Sequence, residues 1–388
     1  MRQTVATANN NELSSINNAP VYLPGLNGLR AIAALAVVVS HTTLALDEFG
    51  LDPNIFGADM EGKARGLDLA GNGVTIFFVL SGFLISFLLM KEKEIHPLKI
   101  KDFYIRRALR IWPLYYLYLA LALLTAFLYH IPINREMIFP YVFMAANIPF
   151  ILQMTLPFLS HYWSLGVEEQ FYLFFPQLAR LSNKRLLNTS LILIGFFLLL
   201  KVLCWFLQKK YGYEIPLATI TVTRFHVMLM GVVAAILYYQ ENKLFLLVST
   251  HKVTQALAWI GLIFIAMNRF HFASVIDGEL VALIAVVLIM GQVTKRNQII
   301  NLENRVCDFI GKISYGIYVI HPLLIFYVAQ VTGKLSSQTF IGYLFVYTII
   351  LLATIVVAYL SYTYFEKPFL RWKQKFTTIK SAASMQRL

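Results

Sequence analysis

Apolar residues arrive in long blocks separated by short polar segments, near 29–46, 71–90, 111–129, 161–179, 187–207, 217–239, 254–270, 277–294, 313–331 and 338–361. At 1.5 Å per residue a helix of such a run crosses the roughly 30 Å hydrocarbon layer of a bilayer. The pattern therefore predicts ten membrane-spanning helices. An eleventh run, 137–158, is broken by Pro140, Pro149 and Pro157 and carries Asn147 and Gln153.

Charge decides how that run is read. If 137–158 crossed, Arg180, Lys184 and Arg185 would face away from Lys91, Lys93, Lys99, Lys101, Arg106, Arg107 and Arg110. With ten spans these groups share one face with Lys295, Arg296, Arg305, Lys312, Arg371, Lys373, Lys375, Lys380 and Arg387, as the positive-inside bias requires. The expected fold is all-α: a polytopic integral membrane protein with about ten transmembrane helices, both termini cytoplasmic, and 137–158 a re-entrant or interfacial element on the outer side. Residues 1–20, polar and Asn-rich without the apolar core of a signal peptide, are expected as a flexible cytoplasmic N-terminal tail. Residues 21–372 form the membrane domain, and 373–388 a basic, solvated cytoplasmic C-terminal tail.

Composition fits this reading, with 58% hydrophobic and 14% charged residues. The net charge of +13 is spread between the apolar blocks, which argues for membrane orientation and against nucleic acid. Cys204 and Cys307 give neither a disulfide framework nor a metal-ligand spacing, so no metal and no permanently bound cofactor are expected.

Polar groups inside the spans carry the candidate chemistry. Arg30 and His41 are eleven residues apart in LRAIAALAVVVSHTTL, close to three helical turns, and so share a face about 16 Å apart along the axis. An ionisable side chain near mid-bilayer costs at least about 2.5 kcal/mol, which marks the pair as functional. Ser81 and Gly82 in GVTIFFVLSGFLIS form a small step where a helix or a thin ligand can approach. Arg106, Arg107 and Arg110 stand at the cytoplasmic mouth of the third span; spacings of three and four put guanidiniums on one face, suited to phosphate as well as to plain anchoring. Glu168 and Glu169 point about 100° apart, so one of them faces a given site, and Glu168 is the candidate. His321 precedes Pro322, which frees a backbone carbonyl; it reads as helix-pairing or site-lining, as do Arg224 and His226.

Taken in order, LPGLNGLRAIAALAVVVSH, FFVLSGFLIS, FYIRRALRIWPLYY, HYWSLGVEEQFYLFFP, ISYGIYVIHP and YFEKPF resemble the membrane acyltransferase 3 family, which includes O-acetyltransferases of bacterial cell-surface sugars, over roughly residues 22–372. The resemblance implies a cytoplasmic acyl-CoA donor, commonly acetyl-CoA, and a multi-pass protein of the bacterial inner membrane. It also implies that Arg30 and His41 occupy essential positions, and that Glu168 is the carboxylate of a Trp-Ser-Leu-x-x-Glu motif in which Trp163, Ser164 and Tyr172 join the substrate-binding set. Some relatives carry an extra periplasmic hydrolase-like domain; the stand-alone form is expected here.

The expected chemistry moves an acyl group from a thioester to a hydroxyl of a surface or exported glycan, such as lipopolysaccharide. His41 serves as general base, held by Glu168, while Ser81 as covalent nucleophile is the lesser route. Substrate-binding candidates are Arg30, Ser81, Gly82, Arg106, Arg107, Arg110, Trp163, Ser164, Tyr172, Arg224 and His321. The alternative is a proton-coupled transporter with His41, Glu168 and His321 as a relay and Arg30 binding an anion. No repeated half supports it.

Overall fold

A computed structural model describes residues 21–55, 57, 68–267, 269–273, 275–335 and 338–379. The proposed N-terminal tail, and the C-terminal tail from residue 380 onward, lie outside them. The helices in chain order are α1 Leu26–Leu44, α2 Asp68–Ile95, α3 Ile100–Leu128, α4 Ile138–Val142, α5 Asn147–Ile151, α6 Trp163–Leu178, α7 Asn183–Tyr211 and α8 Glu214–Thr223. They continue as α9 Phe225–Tyr239, α10 Lys243–Ser249, α11 Lys252–Ala266, α12 Asp277–Thr294, α13 Arg305–Thr332, α14 Phe340–Leu360 and α15 Lys367–Gln374.

All ten predicted runs are helical, and the protein is an all-helical, multi-pass membrane protein. Among the described residues eight helices, counting α8–α9 as one and α14–α15 as one, are long and apolar enough to cross a bilayer. The pair α10–α11, bent by 53°, makes a ninth. The tenth run, α6, is only 16 residues long. Large apolar side chains such as Phe127, Ile192, Leu199, Leu257 and Phe340 face outward, as a lipid-solvated bundle requires.

The run 137–158 does not span. Pro140 and Pro149 sit in the first turns of α4 and α5, where a missing N–H is tolerated, and Pro157 lies in a turn beyond them. Each five-residue helix is then closed by a left-handed residue, Met144 (φ 55°) or Gln153 (φ 56°). The next amide, Ala145 or Met154, donates back to the carbonyl of Pro140 (2.7 Å) or Pro149 (2.8 Å), the wide turn that ends a helix.

The core lies where α1, α2, α9 and α13 meet. Close approach of backbones there depends on glycine. A Cβ on Gly82 of α2 would lie 2.0 Å from the Met228 carbonyl oxygen of α9, and one on Gly231 of α9 would lie 2.2 Å from that of Val79. The small step predicted at Ser81–Gly82 is therefore divided. Gly82 packs a helix, against its expected place in a substrate site, while the neighbouring Ser81, about 100° around the helix, is free to face a cavity. Gly82→Ala is expected to destabilise the solubilised protein by about 1–3 kcal/mol through overpacking. Gly71→Ala, with open space around its Cβ, should leave thermal unfolding unchanged.

Candidate active site

A cavity of about 430 Å³ opens at the end of the bundle formed by the start of α1, the end of α2 and the start of α3. Arg30, Arg106, Arg107, Arg110 and Lys373 line it, with Glu92 and Asp308 on its wall. A narrower chamber of about 90 Å³ adjoins it, and the two share Arg30, Ser81, Arg107 and Arg110. Ser164, Glu168, Tyr172, Tyr315, Tyr318 and Phe77 complete the chamber wall.

The cations differ in what they hold. Arg106 is committed: one Nη donates to Glu92 Oε2 (2.8 Å) and the other to the Phe376 carbonyl (2.8 Å). It therefore pins the chain after α15 across the mouth, where His96 Nε2 lies 2.9 Å from Thr378 Oγ1. Arg30, Arg107, Arg110 and Lys373 make no ion pair within 4 Å among the described residues. The Arg107 guanidinium sits over the rings of Phe103 (5.5 Å) and Tyr172 (5.3 Å), and its buried Nε has no partner. Four basic side chains without a direct ion-pair partner around one hollow attract an anion where the local dielectric is low. Outside the helices, at the rim, Tyr22 donates to Glu303, which Lys295 also holds (2.6 Å); burial and that carboxylate push the Tyr22 phenol up to about 12, so it stays a neutral donor.

Lys373, at the end of α15, was not legible as a site residue. With Gln374, Thr377, Thr378 and Ile379 it walls the cavity, so residues 373–379 differ from the solvated tail expected there.

In the chamber Glu168 is the acceptor of two hydroxyls, Ser81 Oγ (2.8 Å) and Tyr172 OH (3.0 Å). Glu169 turns away, accepting from Trp112 Nε1 at 3.3 Å. The expected pairing of Glu168 with His41 is not made. His41 lies outside the lining of both hollows, and its Nδ1 is 2.7 Å from Nε2 of His321, the ring planes 21° apart and the centroids 4.9 Å apart. The two residues are 280 positions apart, so no spacing in the sequence announces the contact. His161 joins them, 5.2 Å from His321 and 6.5 Å from His41 between ring centroids, with its Nε2 donating to the Val319 carbonyl (3.1 Å). Sequence reasoning missed His161; its position in HYWSLGVEE, beside the carboxylate motif, is the only signal it offered. The trio is not arranged to hold a metal ion.

Tyr318 joins the two regions. Its ring lines the chamber and packs on His161 (5.5 Å) and His321 (6.2 Å), and its hydroxyl donates to the His161 carbonyl (2.8 Å) and contacts Ser164.

Three further candidates lie elsewhere. Trp163 packs on Phe78 and Phe150 and carries Arg224 over its ring at 5.7 Å. Arg224 itself occupies the break between α8 and α9 with φ 42° and donates to Thr221 O, Gly71 O and Thr75 Oγ1, which makes it a pin between helices rather than a cavity residue. His321 is fully buried against His41 and lines neither hollow, so its expected substrate contact is replaced by a contact with another histidine.

Residues 23–363 match the family model described as "Acyltransferase domain". The chain is 29% identical over 391 residues to a protein named "Putative O-acetyltransferase" from Staphylococcus aureus (strain MRSA252), covering 92% of this chain and 59% of that protein. It is 30% identical over 377 residues to one of the same name from strain COL (90% and 57%). It is 27% identical over 385 residues to the O-acetyltransferase OatA of strain NCTC 8325 / PS 47 (90% and 57%). The chain thus spans less than three fifths of the length of these curated relatives. No solved structure matches it. With the match running through α1 and His41, the chamber carboxylate Glu168 and the His321 helix α13, the chain belongs to the acyltransferase 3 family of membrane acyltransferases.

Proposed function

We propose that the protein is a membrane O-acyltransferase, in the first instance an O-acetyltransferase, that takes the acyl group of cytoplasmic acyl-CoA and delivers it to a hydroxyl of a cell-surface or exported glycan. The observation that carries this reading is the stepped cavity. A wide mouth with four basic side chains that have no direct ion-pair partner fits a polyphosphate head, and the narrow chamber beside it fits a thin arm ending in a thioester. In this reading the basic end of the bundle, with both termini, faces the cytoplasm of a bacterial inner membrane, and His41, near the far end of α1, faces the side of the acceptor.

The residues divide the work. Arg30, Arg107, Arg110 and Lys373 hold the phosphates. Ser81, Glu168 and Tyr172 form the polar lining along which the arm passes. Tyr318, shared by the chamber and the histidines, yields to let the acyl end meet His41. The His41 imidazole takes the proton of the acceptor hydroxyl as its oxygen attacks the thioester carbonyl. The C–S bond then breaks and the proton passes to the leaving thiolate.

Lys373→Gln and Arg107→Gln are each expected to raise the KM for acyl-CoA about 10- to 100-fold, the worth of one charged hydrogen bond to phosphate, with kcat much less affected. The direct test is purified protein in liposomes given labelled acetyl-CoA on one side and glycan on the other. Label on the glycan supports the reading. A protein that consumes no thioester would overturn it and favour transport.

A further inference from the structure

His321 has a polar contact on each ring nitrogen, and the two together fix a proton. Its Nδ1 lies 3.2 Å from the Ile317 carbonyl oxygen, one turn back on α13. A carbonyl only accepts, so Nδ1 carries the hydrogen, and the Nε2 of a neutral ring is then a lone pair. That lone pair meets His41 Nδ1 at 2.7 Å, so His41 must be the donor there. His41 Nδ1 therefore bears the proton, and its Nε2 is left as the acceptor. Among the described residues no hydrogen bond engages that Nε2, and His41 is not fully buried.

We infer that His321, anchored on the Ile317 carbonyl, is the positioning residue that sets the His41 tautomer with its lone pair on Nε2, in the place that a carboxylate takes in other base-orienting triads. The surroundings keep this arrangement in register. The ring planes lie within 21° of each other with centroids 4.9 Å apart, so His41 and His321 meet nitrogen to nitrogen as an in-plane bond requires, and His161 packs edge-on against both rings. Among the described residues no carboxylate bonds to His41, so the orienting partner is a neutral ring. It orients His41 but supplies less charge to the imidazolium formed during transfer than an aspartate would. Pro322 contributes by lacking an N–H: the Tyr318 carbonyl it would have engaged loses its helical donor and is open to the His321 ring beside it.

The kinetic consequence rests on the acyl-transfer reading above; the tautomer does not. Two measurements separate them. In the first, transfer is compared for wild type, His321→Leu and His321→Gln. Leucine removes the acceptor; the glutamine amide can accept from His41 Nδ1 with its oxygen and donate to Ile317 with its nitrogen. His321→Leu is expected to lower kcat about 100-fold or more with the KM for donor nearly unchanged, and His321→Gln to recover most of it. In the second, ¹⁵N chemical shifts of histidine-labelled protein in bilayers report the tautomer directly. Wild type is expected to show His41 protonated on Nδ1, and His321→Leu a shift toward the Nε2–H form.

Full kcat in folded His321→Leu, a His321→Gln variant as slow as the leucine one, or wild-type His41 protonated on Nε2 would each overturn the inference. If no variant, wild type included, turns over acyl-CoA, the functional reading fails while the nitrogen shifts still decide the tautomer.

Discussion

His41→Ala is expected to lower acyl transfer by about 10²- to 10⁴-fold, the usual contribution of a positioned general base. The protein should stay folded, because the removal of the side chain leaves His321 Nε2, an acceptor, without its donor rather than a charge without a partner. Donor affinity should hold as well, since the cations that line the mouth are outside the histidine cluster. The measurement is kcat and KM for acetyl-CoA with detergent-purified variant, beside its thermal unfolding. A folded variant with an undiminished rate would move the chemistry to the chamber, where Ser81 Oγ is 2.8 Å from Glu168 and could act as a nucleophile. The sequence offered no base for that serine, whereas the fold gives it a carboxylate partner.

The largest effect on stability is expected from Glu279→Ala. Glu279 Oε1 on α12 accepts from Lys201 Nζ of α7 at 2.7 Å and from His226 Nε2 of α9 at 2.8 Å, so one oxygen ties three helices. Lys201 and His226 are 6% and 1% exposed, which leaves no water to replace the carboxylate. Removing one partner of a buried ion pair costs about 3–5 kcal/mol, since the other charge stays in a low dielectric unpaired. The loss should appear in thermal unfolding of the solubilised protein. Glu279→Gln, which keeps an acceptor, should lose less. The double variant Glu279→Leu with Lys201→Met should regain much of what Glu279→Ala loses, because well-packed apolar groups replace a buried pair at little net expense. If the single variant unfolds like wild type, the cluster is not holding the bundle together.

Lys201 shows how far a linear reading reaches. A lysine inside an apolar run of α7 is visible as an anomaly, because lipid demands a reason for any charge within it. Its partner, 78 positions further on, is not visible. The same holds at the site. Arg30 and His41 share a face of α1 because helical periodicity alone puts them there, and of the two adjacent carboxylates only Glu168 enters the chamber. Yet the expected bond between His41 and Glu168 failed, since the relative rotation and depth of two helices depend on side-chain packing at their crossing and not on either helix's own sequence period.

Glycine repeats the lesson. Ser81 and Gly82 are one step in the sequence and two fates in the fold, a cavity wall and a helix crossing, separated by the 100° between neighbours on a helix.

What was fixed before any folding in space is therefore what lipid and the backbone impose locally. Ten apolar helices, a broken segment at 137–158 with proline in each first turn, and a row of arginines at one end follow from hydrocarbon thickness, helix period and the charge bias of membranes. What had to wait for three dimensions is every contact between distant parts of the chain: His321 on His41, Lys373 closing the basic mouth, Tyr318 between chamber and histidines, and Glu279 joining three helices. Those pairings span tens to hundreds of residues. They depend on how helices cross and rotate against one another, which is settled by close packing of the whole bundle and leaves no mark at any single position.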